Sequence, residues 1–375
     1  MRFSLSEEQE LIRSSAREFC EREILPHVRD WDRDEDLDRA LVQKLADLGY
    51  LAGWELDTLS YALVMEELGR ADSSVRGIVS VNVGLVGKTI AKWGTDEQKG
   101  EWLARLGSGE TLGCYALTEP GSGSDPSSLS TRAVRDGGDW LLSGSKIFIT
   151  LGSWAGVALV FARTSGEDAR GLTCFLVPTA SDGFSATRIK GKLGLRAQDT
   201  AELTLDGVRV PDGNRLGAEG DGFKVAMSAL DNGRISLAAG CVGIAQGCLD
   251  ACLRYAAERE QFGKPIASHQ LVQELIADIA VECDAARLLT WRAAALADAG
   301  LRHTLESSIA KYYASEASVR AANAAVQVHG GYGYIDEYPV GKYLRDARVT
   351  TLYEGTSQIQ KLIIGRALTG ENAFT

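Results

Sequence analysis

The sequence predicts an α+β protein in three parts: an N-terminal helical domain at 1–113, a central antiparallel β-barrel or sandwich at 114–221, and a C-terminal helical bundle at 222–375. Three observations predict it. Apolar residues recur at helical spacing at both ends of the chain. Between them lie short apolar runs separated by Gly-rich turns. At 375 residues the chain also exceeds what one hydrophobic core usually serves, so several domains are expected.

Element by element, Ser6 and Gln9 have the spacing of a capping box. Leu11, Ile12, Phe19 and Ile24 then follow a helical stripe. Leu41, Leu45 and Leu48 form a second helix that Gly49 ends. Leu59, Leu63, Met65 and Leu68 start a third. Trp93 to Leu106 completes the helical region, with Gly107 and Gly109 as stops. In the centre, 140–142 and 146–149 read as two strands flanking a turn at Ser143-Gly144-Ser145. Runs at 157–161, 172–177 and 203–210 add more. Beyond Gly222 the helical period returns, with Val272, Leu275, Ile276 and Ile279 on one face and Ala285, Ala286, Leu289 and Ala293 on the next stretch.

A net charge of −11 argues against a nucleic-acid partner. The seven Cys are scattered, with no Cys-x-x-Cys pair and no nearby His, which fits buried free thiols in a reducing cytoplasm rather than a zinc site. The start of the chain has no apolar stretch of the signal-peptide kind. No apolar run looks long enough to span a membrane.

The one near match to a dinucleotide fingerprint, Gly107 to Gly113, has a residue too many and follows a helix, so it reads as a helix stop. The segment Tyr115 to Asp125 is richer in Gly and hydroxyls. Such a loop follows a planar or phosphorylated ligand, or simply lies on the surface. Glu354, in Tyr353-Glu354-Gly355-Thr356-Ser357-Gln358, follows an apolar run. It is either a base with a raised pKa or an exposed acid at a helix start. Arg259 to Pro265 interrupts a helical pattern. His329, in Gln327-Val328-His329-Gly330-Gly331, reads as a structural histidine.

In order, Leu117 to Asp125, Ile147-Phe148-Ile149-Thr150, Arg259-Glu260-Gln261-Phe262-Gly263, Gln327 to Gly331 and Tyr353 to Thr356 resemble the acyl-CoA dehydrogenase family over essentially the whole chain. The resemblance implies that family's fold and an FAD cofactor. Tyr115, Leu117, Thr118, Gly123 and Ser124 would follow the flavin, with Ser124 also near the thioester. Phe148, Ile149 and Thr150 would back the flavin ring, Phe148 standing where the family usually has Trp. Arg259, Phe262, Gln270, Gln327, Val328, Gly330 and Gly331 would hold the adenosine and diphosphate across a dimer interface, and Thr356 and Gln358 would add FAD contacts. Asp231, Arg234, Tyr353 and Gly355 would face the substrate.

Some relatives carry the base at the place of Gly233. Gly cannot act as one, so the resemblance implies Glu354. It would take the α-proton of an acyl-CoA while the β-hydride leaves for the flavin, giving the trans-2-enoyl-CoA. It also implies a homotetramer built as a dimer of dimers, and electron-transfer flavoprotein as acceptor. A dehydrogenase of acyl-carrier-protein thioesters, or a flavin oxidase on the same fold, would look alike. Between Gly53 and Leu56 the family's usual Pro-Glu-Glu-Tyr-Gly-Gly-like loop is missing, through a true deletion or a gap in the recorded chain.

Overall fold

A computed structural model describes residues 4–374. Helices α1 (Glu7–Phe19), α2 (Val28–Asp34), α3 (Ala40–Asp47), α4 (Thr58–Ala71), α5 (Ser73–Val79), α6 (Lys88–Trp93) and α7 (Asp96–Gly107) come first. The Ser6–Gln9 capping box starts α1. Phe19 and Ile24 are buried, while Leu11 points to solvent at 69% exposure and does not belong to the stripe. Trp93 to Leu106 is two helices, because a second capping box at Thr95 and Gln98 restarts the chain after Gly94.

The connection at 53–57 is short and leads from Ala52 directly into α4. Asp57 caps α4 by accepting from the Ser60 N–H. The Trp54 ring lies where side chains at Gly87 or Gly107 would have to go, so the two glycines make room for it.

The central strands are β1 (Gly113–Ala116), β2 (Arg132–Asp136), β3 (Asp139–Thr150), β4 (Val157–Arg163), β5 (Leu172–Pro178), β6 (Phe184–Arg188), β7 (Thr200–Pro211) and β8 (Arg215–Leu216). They order as β6-β7-β3-β2-β4-β5-β8, with β1 on β4. The sheet does not close, so the barrel alternative falls and the sandwich stands. Nor is it wholly antiparallel: β1 pairs with β4 in parallel. The turn expected at 143–145 is a bulge inside the single strand β3. Gly144 takes φ 152° there, and a side chain on it would meet Thr131.

Helix α8 (Gly222–Glu258) leads into α9 (Gln270–Asp298), α10 (Thr304–His329), α11 (Val340–Thr350) and α12 (Ser357–Thr369). The expectation that no apolar run could span a membrane needs correction. By length and composition α8 qualifies, with a window of mean hydropathy 1.5, but 83% of that window is buried inside the protein. Its apolar surface is consumed by packing against α4, α9 and α10. The seven cysteines are buried free thiols.

Candidate active site

A cavity of about 840 Å³ opens where α5, the end of β1, the end of β3, α8 and the α11–α12 turn meet. Glu354 and Gly355 form that turn with φ 53° and 87°. Two consecutive left-handed residues are costly for a glutamate and persist only where the surroundings enforce them. Lys311, fully buried on α10, donates to the Gly355 carbonyl at 2.7 Å. The Gln360 amide donates to the carbonyls of both Glu354 and Gly355 at 3.0 Å. Thr356 caps α12 immediately after, accepting from the Ile359 N–H.

Glu354 Oε2 is buried and has no hydrogen-bond partner among the described residues. Burial raises the carboxyl pKa, opposed by the positive charges of Arg76, Lys311 and Arg234. The same burial pushes Lys311 down to about 8. A Cβ on Gly233 would run into the Glu354 carboxylate, so the two family positions for a base adjoin one another in space. Tyr353 accepts a 2.8 Å hydrogen bond from Arg76.

The opposite wall is built from β1 and β3. Lys146, fully buried, donates to Glu119 at 2.7 Å and to the Phe161 carbonyl at 2.7 Å. Glu119 also accepts from the backbone N–H groups of Ser130 and Thr131. Burial alone would raise Glu119, but the adjacent ammonium overrides this and holds it at about 2. This knot fixes the base of the loop that carries Thr118, Gly123 and Ser124 to the cavity.

An irregularity of β3 near Ile149 turns Phe148 out of the sheet with φ 59°. Its ring is 66% exposed on the cavity wall. A bare aromatic face, a Gly123 with open space above it and the Thr150 hydroxyl close by make a surface that fits a planar ring system such as a flavin.

Of the residues singled out from sequence, Tyr115, Leu117, Thr118, Gly123, Ser124, Phe148, Ile149, Thr150, Arg234, Tyr353, Glu354 and Gly355 line this cavity. Arg259, Val328, Gly330 and Gly331 instead line a second one of about 510 Å³, beside His329. The His329 ring stacks on Tyr255 at 4.3 Å and its Nδ1 pairs with the Ala325 carbonyl. Phe262, Gln270, Gln327, Thr356, Gln358 and Asp231 line neither. Asp231 lies behind Arg234, pairing with it at 2.8 Å and accepting from Thr304.

Sequence reasoning missed Arg76, Gln198 and Lys311. Arg76 carried a usable signal: it is a lone charge among Val75, Ile78 and Val79 on one apolar helix. Lys311, beside Ala310 and Ala314, carried a similar one.

Known proteins share this arrangement. Residues 6–110, 114–208 and 220–369 match the N-terminal, middle and C-terminal domains of acyl-CoA dehydrogenase. The short-chain specific acyl-CoA dehydrogenase of mouse mitochondria is 42% identical, covering 96% of this chain and 90% of its own. Butyryl-CoA dehydrogenase from Megasphaera elsdenii superposes with a TM-score of 0.96 at 38% identity, over 98% of this chain and 100% of that one. A glutaryl-CoA dehydrogenase from Mycobacterium smegmatis, solved with FADH2, gives 0.95 at 36% identity, over 99% and 97%. With its three domains matched in order, the chain belongs to the acyl-CoA dehydrogenase family of flavin-dependent oxidoreductases.

Proposed function

We propose that the protein dehydrogenates an acyl-CoA thioester to the trans-2-enoyl-CoA, with FAD as cofactor and Glu354 as base. The observation that carries this reading is the Glu354 carboxylate. It is buried, lacks a partner on Oε2 among the described residues, and opens into the larger cavity.

A base that works near neutral pH needs a pKa lifted towards that range, and desolvation supplies the lift. Glu354 takes the substrate α-proton. The α-proton is acidic only if charge growing on the thioester oxygen is stabilised, and backbone N–H groups of the clamped 354–355 turn suit that task. Leu85, Phe223 and Met227 line the same space and keep water away from the carboxylate. FAD, when bound, supplies the acceptor for the β-hydride. Phe148 and Thr150 would hold its ring, and Thr118 and Ser124 would follow its edge and the thioester.

A solved relative holding FADH2 supports FAD, as does the second cavity. Arg259, Val328, Gly330 and Gly331 would take the adenosine end of a neighbouring subunit's cofactor. Phe262, 94% exposed beside Arg259, suits burial in such an interface. We propose with it the homotetramer, a dimer of dimers, that the family resemblance implies, with electron-transfer flavoprotein as acceptor and the cytoplasm as compartment. Light scattering on the flavin-loaded protein should give four chains, and Arg259→Ala should lower flavin retention and assembly together. A stable flavin-loaded monomer would refute the shared site.

The test of the activity is anaerobic flavin bleaching by a panel of acyl-CoA and carrier-protein thioesters. Glu354→Gln keeps the side-chain size but cannot accept the proton, so bleaching should slow by about 10⁴-fold while flavin stays bound. Bleaching as fast as in the parent would remove Glu354 from this role.

A further inference from the structure

Arg76 is 2% exposed, on α5, and lines the larger cavity. Burying a guanidinium is expensive unless a carboxylate and hydrogen bonds compensate it. Its Nη2 donates to the Tyr353 hydroxyl at 2.8 Å, but its Nη1 has no partner among the described residues. Tyr353 is a neutral phenol, held protonated by burial, so it cannot balance the charge. The neighbouring cavity arginine, Arg234, is balanced by Asp231 at 2.8 Å. Two other deeply buried cations on the scaffold have carboxylates, Lys146 with Glu119 and Lys342 with Asp346 and Asp72, while Lys311 is held by the Gly355 carbonyl.

Room for Arg76 has been made on purpose. A Cβ at Gly240 of α8 would strike its stem. The chain therefore gives up a side chain on its central helix to keep a cation in the acyl space. Glu354 feels this cation more than any other, so the guanidinium is near the base. Yet no ion pair within 4 Å joins the two among the described residues, and the Glu354 Oε2 is itself without a partner.

Resting on the reading of the cavity as an acyl-thioester site, we propose that Arg76 receives an anionic end of the acyl group, so that the preferred substrate is the CoA or carrier-protein monothioester of a short dicarboxylic acid. A carboxylate meets a guanidinium through two parallel hydrogen bonds, and the free Nη1 supplies a donor for it. The chain must be short, because the α-carbon has to sit at Glu354 while the tail reaches a guanidinium near enough to act on that carboxylate. The reaction is the same α-proton and β-hydride removal; only the tail is specified. An aliphatic tail of equal length would leave Arg76 buried with nothing to balance it, and a site built for a polar group discriminates strongly against analogues that lack it.

The experiment compares kcat/KM for glutaryl-CoA, its ω-methyl ester and pentanoyl-CoA, in the flavin-loaded protein with a dye as acceptor. The parent should prefer the free diacid by about 10²-fold or more over both neutral analogues. Arg76→Gln should collapse that ratio, and Arg76→Lys should restore part of it. A parent that turns over pentanoyl-CoA as well as glutaryl-CoA overturns the proposal. So does an Arg76→Gln protein that slows all three substrates equally, because Arg76 would then act on Glu354 or Tyr353 and not on the tail. Should the Gln variant lose its flavin, the parent's ratio decides alone. Bleaching by monoacyl-CoAs only would overturn the tail assignment and keep the dehydrogenase reading; no bleaching by any thioester would overturn both.

Discussion

Two places in this protein bury a glutamate close to a lysine, and they do opposite things with the same pair of residue types. At the root of the β1–β2 loop, Glu119 and Lys146 touch at 2.7 Å, and Glu119 accepts backbone N–H groups as well. Its pKa is held at about 2. At the α11–α12 turn, Lys311 spends its ammonium on the Gly355 carbonyl, and among the described residues the Glu354 carboxylate has no direct ion pair. The pKa of Glu354 is raised instead. A satisfied buried carboxylate is a structural rivet, and a buried carboxylate denied a partner is a base in waiting. The difference lies in geometry, not in composition.

The largest effect that would break this comparison is in the rivet. Glu119→Gln removes the charge that compensates Lys146 but keeps the side-chain size. Losing one partner of a buried pair typically costs about 3–5 kcal/mol, because the other charge stays behind. Denaturant melts should show a loss of that order, and the loop carrying Thr118 and Ser124 should loosen enough to weaken flavin retention. Glu354→Gln, by contrast, removes a charge with no compensating pair, so its melt should match or exceed the parent's. If the two variants melted alike, the division into rivet and base would fail.

Much of this site was legible in the sequence, and what was not follows a rule. The loop at 115–125, the strand at 148–150 and the 353–355 turn are contiguous, so each could be read as a unit, and all three reach one cavity. The helical ends and the β centre were legible because the 3.6 and 2.0 periodicities are local. The bulge at Gly144 was not, since it depends on the approach of Thr131, just ahead of the neighbouring strand β2. The α6–α7 break was missed although Thr95 and Gln98 spell a capping box. Arg76 and Lys311 went unread because single charges inside apolar helices acquire meaning only when other helices arrive around them.

The smaller effect, and the sharper test of the comparison, is in Lys311. Lys311→Met keeps the length and apolar body of the side chain while removing its charge and its hydrogen bond to Gly355. Hydrogen bonds from charged groups contribute about 1.5–3 kcal/mol, but Gln360 still holds both carbonyls of the turn. The rate with a good substrate should therefore fall only about 10-fold. The pH profile is more telling. In the parent, the Lys311 charge is one of those that restrain the upward shift of Glu354. Without it the base becomes harder to ionise, so the acid limb of kcat/KM should move to higher pH. Lys311 itself is pushed down to about 8, so an inflection near that pH in the parent should be absent from the Met variant. A lysine that merely propped the turn would lower the rate at every pH and leave the acid limb where it was. A lysine that sets the charge state of Glu354 has to move that limb, and the direction of the move follows from the sign of its charge.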